Sequence, residues 1–133
     1  MILSSFGRII ASSAAKLSAR FIKMGLVPEL ASSRLLVARM GLGQASRIML
    51  TGETLSAEQA LETRLIDEMT DEASLVDTAI DMAAAMGANP QRALTMVKQL
   101  ITDNMAEADL SSVQAREMVA LNQCYKSAEH HEA

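Results

Sequence analysis

Glu29 ends the stretch Gly25-Leu26-Val27-Pro28-Glu29 and is one carboxylate that could transfer a proton. Gly25 tolerates positive φ, while Pro28 fixes φ and lacks an N–H, so together they punctuate a loop. A carboxylate on such a loop works as a general acid/base when its pKa is drawn toward the working pH. Apolar neighbours do this by penalising the charged form. Leu26, Val27 and Leu30 are the residues that would build that apolar wall, and with Pro28 they are the candidate substrate-binding residues. The competing reading of Glu29 is a solvated first-turn acid that complements the positive end of a helix dipole.

Other chemistry-bearing residues are more isolated. Cys124 is the single cysteine, so it forms no internal disulfide; no metal-ligand spacing or neighbouring base accompanies it. His130 and His131 stand beside Glu129 and Glu132 in a stretch expected to be a solvated tail. No metal and no cofactor is expected from these patterns. Gly41-Leu42-Gly43-Gln44-Ala45-Ser46 has two glycines of a dinucleotide loop, but lacks the third and joins two helical patterns. Lys16, Arg20 and Lys23 form a basic run on a short extended segment, read equally well as a solvated face or a phosphate contact.

The elements that must position Glu29 follow from composition and pattern. The 133 residues suffice for a core, and half of them are apolar, yet the aromatics are only Phe6, Phe21 and Tyr125. Core volume must come from Leu, Ile, Val, Ala and ten methionines, which predicts a helix-rich α or α+β chain. A net charge of -4 argues against nucleic-acid binding. No apolar run approaches the roughly 20 residues of a membrane span. The N-terminus lacks a signal-peptide h-region, so a cytoplasmic protein is expected.

Short extended segments are predicted over Phe6–Ala11 and Lys16–Phe21, the second from alternation. After Glu29 the pattern becomes helical. Leu30, Leu35, Leu36 and Met40 share one face that ends at Gly41, and a second helix runs from near Gly43 to Gly52. Ser56 with Gln59 has capping-box spacing and opens a short helix to about Thr63. An acidic loop over Asp67–Glu72 precedes a helix with Gly87 as its C-cap. Asn89-Pro90 reads as an N-cap with proline at N1, and the last helix starts near Asp109.

Arg8-Ile9-Ile10-Ala11-Ser12, Ala15-Lys16-Leu17-Ser18 and Gly25-Leu26-Val27-Pro28 follow one another in the order of three small motifs of one family. Leu50-Thr51-Gly52, Ser56-Ala57-Glu58-Gln59-Ala60, and Asn89-Pro90 with Lys98 continue it. In combination this order resembles the crotonase (enoyl-CoA hydratase/isomerase) family from Arg8 to Ala128. The resemblance implies the C-terminal half of a crotonase fold: an α+β, mostly α fragment with one or two short strands and about six helices. Residues 1–52 would end the core and carry the catalytic loop, and residues 53–133 would be a helical oligomerisation region. It further implies an acyl-CoA substrate and a homo-oligomer, a trimer or dimer of trimers. The oxyanion-hole N–H donors and most of the CoA pocket would belong to the preceding half.

The same resemblance separates two chemistries. Hydratases of the family place a glutamate four residues before the glycine of the G-x-x-P loop, and that place is Phe21 here. Glu29, in Pro28-Glu29-Leu30-Ala31-Ser32-Ser33, is instead similar to the single glutamate of the peroxisomal-type Δ3,Δ2-enoyl-CoA isomerases. The expected activity is therefore isomerase-like, with a hydratase or other acyl-CoA lyase as the alternative. A non-catalytic, self-associating helical module is a further one. Where relatives often carry G-L-V, this chain has Arg64-Leu65-Ile66, so a reshaped or strained helix cap is expected at Arg64.

Overall fold

A computed structural model describes residues 2–5, 7–29, 31–105 and 107–126. They fall into two compact units, residues 1–80 and 81–133. This division follows packing and differs from the expected boundary at 52/53, which was drawn from the resemblance to set the end of the core apart from a helical region.

The first unit has two small sheets. Strands β1 (Ile2–Ser5) and β2 (Arg8–Ser12) pair antiparallel across a turn in which Gly7 has a φ of 80°. β5 (Glu68–Thr70) joins β2 in parallel, with Ile10 opposite Glu68. β3 (Lys16–Ser18) pairs antiparallel with β4 (Thr54–Ser56). β2 is the central strand of its sheet, and Ile10, Ala11 and Ser12 are all fully buried. That continuous burial suits an inner strand better than an alternating one.

The acidic stretch read as a loop contains β5, and the segment before Ser56 contains β4. Three-residue strands are too short for alternation to register; a remote partner defines each. Asp67 shows how. Its N–H donates to the Ile9 carbonyl (2.8 Å), and its Oδ2 accepts from the Ile9 N–H (2.7 Å). Arg39 then pairs with Asp67 and donates through Nε to the Leu65 carbonyl (2.7 Å) and through Nη1 to the Gly7 carbonyl (3.1 Å). One guanidinium thus fastens the β1–β2 turn to the approach to β5.

The first extended segment starts at Arg8, and Phe6 lies outside the described residues. The second ends at Ser18, and Phe21 enters a 3-10 turn, η1 (Arg20–Met24). Alternation from Lys16 to Phe21 therefore overstated the strand. Phe21 is half-buried against a core of Ala11, Met40, Ala45, Ile48, Leu55 and Ile66.

Helix α1 (Ser32–Thr51) is broken at Gly41 (φ 78°, ψ 160°), where the sequence predicts one helix to stop before the next. α2 (Ala57–Glu62) opens on the expected capping box: the Gln59 N–H donates to Ser56 Oγ (3.3 Å), and the Ser56 N–H donates to Gln59 Oε1 (2.9 Å). Beyond it Arg64 takes the left-handed conformation (φ 61°), the strained one of the two outcomes expected at a glycine's position. Leu75 of α3 (Leu75–Gly87) is fully buried.

In the second unit, α4 (Gln91–Asn104) and α5 (Leu110–Tyr125) pack together. Here the capping prediction needs correction. Gly87 is the last helical residue rather than a left-handed cap, and Pro90 rather than Asn89 is the N-cap of α4. Asn89 turns backward, its Nδ2 donating to the Met86 carbonyl (3.0 Å), because the last carbonyls of α3 lack helical partners. α5 starts where expected, and Asp109 is its N-cap, accepting from the N–H groups of Ser111 (3.2 Å) and Ser112 (3.1 Å). Arg116 reaches back to Asn104 Oδ1 (2.6 Å) and Glu107 Oε2 (2.6 Å), closing the α4–α5 turn.

Candidate active site

The loop bearing Glu29 hangs between η1 and the start of α1. Its first anchor is the end of η1, where the Gly25 N–H donates to the Ile22 carbonyl (3.1 Å) and the Leu26 N–H to the Phe21 carbonyl (2.9 Å). Gly25 adopts φ 69°, so glycine is required for the chain to turn here. The second anchor is Ser32, the first residue of α1. Its N–H donates to the Glu29 carbonyl (3.0 Å), and its hydroxyl bonds the same oxygen. Between them Ala31 holds φ 59°, a left-handed position unusual for a residue with a Cβ.

The Glu29 backbone is therefore held by α1, while its side chain is exposed. Leu26 is 55% and Val27 80% exposed, and Pro28 is half-buried. The described residues of this chain do not build the apolar wall expected around Glu29, because these side chains face solvent. Leu30, the remaining candidate, lies outside the described residues. Nor is Glu29 a first-turn helix acid, since α1 begins three residues later.

Beside the loop lies an open, largely apolar cavity of about 390 Å³. Leu17, Phe21, Leu36 and Met40 line it, together with Ser32 and Lys16. Ser32 is thus shared between the cavity and the Glu29 carbonyl. In the sequence Ser32 stands only as part of a motif; its hydroxyl at the head of a helix was the available signal. Arg20 and Lys23 are exposed on η1. The Arg39–Asp67 pair, 28 residues apart, had no sequence signal.

The remaining candidates do not join this site. Gly41 to Ser46 lies within α1, so it forms no phosphate loop. Cys124 is half-buried on α5, its Sγ 3.8 Å from Met96 Sδ, beside an apolar groove of about 540 Å³ between α4 and α5. His130 and His131 lie outside the described residues. Among the described residues no group of three His, Cys, Asp or Glu side chains could hold a metal, and no helix is long and apolar enough to cross a membrane.

Two small sheets, a kinked helix that pins a glutamate-bearing loop, and a following set of helices match known proteins closely. The family model for enoyl-CoA hydratase/isomerase matches residues 7–133, and the chain belongs to that family, the crotonases. It is 36% identical over 106 residues to a 1,2-epoxyphenylacetyl-CoA isomerase of Escherichia coli K12, covering 80% of this chain and 40% of the relative. It is 26% identical over 124 residues to a short-chain-enoyl-CoA hydratase of Clostridium acetobutylicum, covering 93% of this chain and 47% of the relative. The crystal structure of a Mycobacterium abscessus protein assigned as an enoyl-CoA hydratase/isomerase superposes with a TM-score of 0.82 at 32% identity. That match covers 92% of this chain and 46% of the other. The chain spans about half the length of the curated relatives it matches.

Proposed function

We propose that this chain supplies the acid/base half of an enoyl-CoA isomerase, in which Glu29 moves one proton from C2 to C4 of an acyl-CoA thioester. The observation that carries the reading is the single carboxylate of the 25–29 loop, its backbone fixed by Ser32, combined with Phe21 where a second acid would be needed for hydration. Removing the C2 proton gives a dienolate, and the same carboxyl group, now protonated, returns the proton at C4. A benzene ring at position 21 exchanges no proton, so two-acid addition of water is disfavoured. The resemblance to an isomerase acting on a CoA thioester supports this choice, and the resemblance to a hydratase keeps hydration as the rival. Leu26, Val27, Pro28 and Leu30 are the substrate-facing residues in this reading. They would be enclosed by the part of the family fold that this chain does not span, which also supplies the oxyanion donors. The 133 residues alone are accordingly expected to turn over little or no substrate.

The test uses a chimera in which residues 7–133 replace the matching segment of the Mycobacterium abscessus relative. Given a 3-enoyl-CoA deuterated at C2, it should form 2-enoyl-CoA with part of the label carried to C4. Hydration of a 2-enoyl-CoA by the chimera, with the 3-enoyl-CoA left unconverted, would favour the hydratase instead.

A second reading rests on the α4–α5 groove and on Val97, Ile101, Met118 and Val119, all exposed apolar residues of that helix pair. Self-association through residues 53–133 would cover such faces. Sedimentation of the purified chain as a discrete trimer, without acyl-CoA binding, would favour it.

A further inference from the structure

Gly52 closes α1 with φ 58°, its N–H bonded to the Ile48 carbonyl (2.9 Å). Glycine's freedom at positive φ explains only half of its presence there. A Cβ built on Gly52 would stand 2.9 Å from Lys23 Cγ, 3.0 Å from Ile22 Cγ2 and 3.3 Å from Lys23 Cε. Among the described residues no comparable crowding surrounds any other glycine, since none lies within 4 Å of the Cβ positions of Gly7, Gly25, Gly41, Gly43 and Gly87. The turn η1 therefore sits directly on the bare backbone of Gly52. The neighbouring turn is tied down as well: Ser18 Oγ donates to the Glu53 carbonyl (2.8 Å), holding β3, the strand just before η1, to the same corner.

Helix α1 then holds the Glu29 loop from both ends. Its first residue bonds the Glu29 carbonyl, and the glycine that ends it seats the turn from which the loop departs. We infer that Gly52 is a positioning residue for Glu29, setting where the loop leaves η1 through contact with Lys23 and Ile22. This inference rests on the proton-transfer reading of Glu29 for its meaning, but the contact itself is tested independently of any chemistry. A side chain at position 52 would lift η1 and loosen the Gly25 and Leu26 N–H bonds that begin the loop.

The experiment is amide hydrogen exchange on the full chain, comparing wild type, Gly52→Ala, and Gly52→Ala combined with Lys23→Ala. Gly52→Ala should accelerate exchange at Gly25 and Leu26 by about tenfold, while Ile9 and Asp67, bonded across the other sheet, stay within about twofold. Removing the Lys23 stem should restore most of the protection, because it takes away two of the three nearest atoms that the new methyl meets, the closest included, and leaves Ile22 Cγ2 at 3.0 Å. Backbone strain at position 52 would persist in the double variant, so restoration identifies the contact. Unchanged exchange at Gly25 and Leu26, equal acceleration at Ile9 and Asp67, or no restoration by Lys23→Ala would each overturn the inference. Failure of this test leaves the proton-transfer reading standing, whereas failure of Glu29 in the label experiment leaves the exchange result intact.

Discussion

Replacing Arg64 by glycine removes a side chain from a backbone position that resists one. Arg64 holds φ 61° just past α2, where its N–H donates to the Leu61 carbonyl (3.0 Å) and the Leu65 N–H donates to the Ala60 carbonyl (2.8 Å). Left-handed geometry costs a residue with a Cβ about 1–2 kcal/mol. Glycine relieves that cost but adds freedom to the unfolded chain, which takes back about 0.5–1 kcal/mol. The Arg64 side chain is exposed beside Arg39 and Asp67, opposite charges that nearly cancel, so its loss adds little. The expected net gain for Arg64→Gly is about 0.5–1 kcal/mol. With an m-value of about 1.5 kcal/mol/M, the urea midpoint should rise by about 0.3–0.7 M at unchanged m. Arg64→Ala is the control, because it discards the guanidinium while keeping the Cβ, and it should show no such rise. A glycine variant no more stable than the alanine variant would refute the strain argument.

Asp67→Ala should lower stability by about 2–3 kcal/mol in the same assay, since it strips a charged partner from half-buried Arg39 and an acceptor from the Ile9 N–H. Acid should fray the start of α5. The Ser112 hydroxyl, then the Ser111 and Ser112 N–H groups, hold the Asp109 carboxyl below its ordinary range. A carboxyl lowered on folding contributes stability above its unfolded pKa and loses it as pH falls through the folded one. Exchange at Ser111 and Ser112 should therefore accelerate below the ordinary carboxylate range in wild type, and Asp109→Asn should flatten that dependence. Ile48→Ala, at a side chain only 2% exposed in the core of the first unit, should cost about 2–5 kcal/mol in urea unfolding.

How much of this was legible depended on how far each feature reaches along the chain. The Ser56–Gln59 box, the break at Gly41, the start of α5 at Asp109 and the unusual cap at Arg64 are decided by residues within a turn or two, and the sequence marked each place, though for Arg64 it left the reshaped and the strained cap both open. β4 and β5 are three residues long and exist because Leu17 and Ala11, dozens of residues away, offer them an edge. No local pattern records that. Asn89 carried the right cap chemistry but served the helix before it, because side-chain direction, not residue type, decided the partner. For the candidate site, the motif order located the loop and singled out Glu29. It did not reveal that Leu26 and Val27 point to solvent, since enclosure is a property of whatever packs over the loop. Ser32 was visible only as a motif letter and Gly52 as that and as a helix end, and their contacts with the Glu29 carbonyl and with η1 required coordinates.

The role of Glu29 is tested most directly by Glu29→Gln in the chimera, assayed for conversion of 3-enoyl-CoA to 2-enoyl-CoA. Gln keeps the size and the backbone bonds to Ser32 but cannot carry a proton. The account predicts a fall in kcat of about 10²–10⁴ with KM little changed. Isomerisation at the wild-type rate by the Gln variant would contradict it.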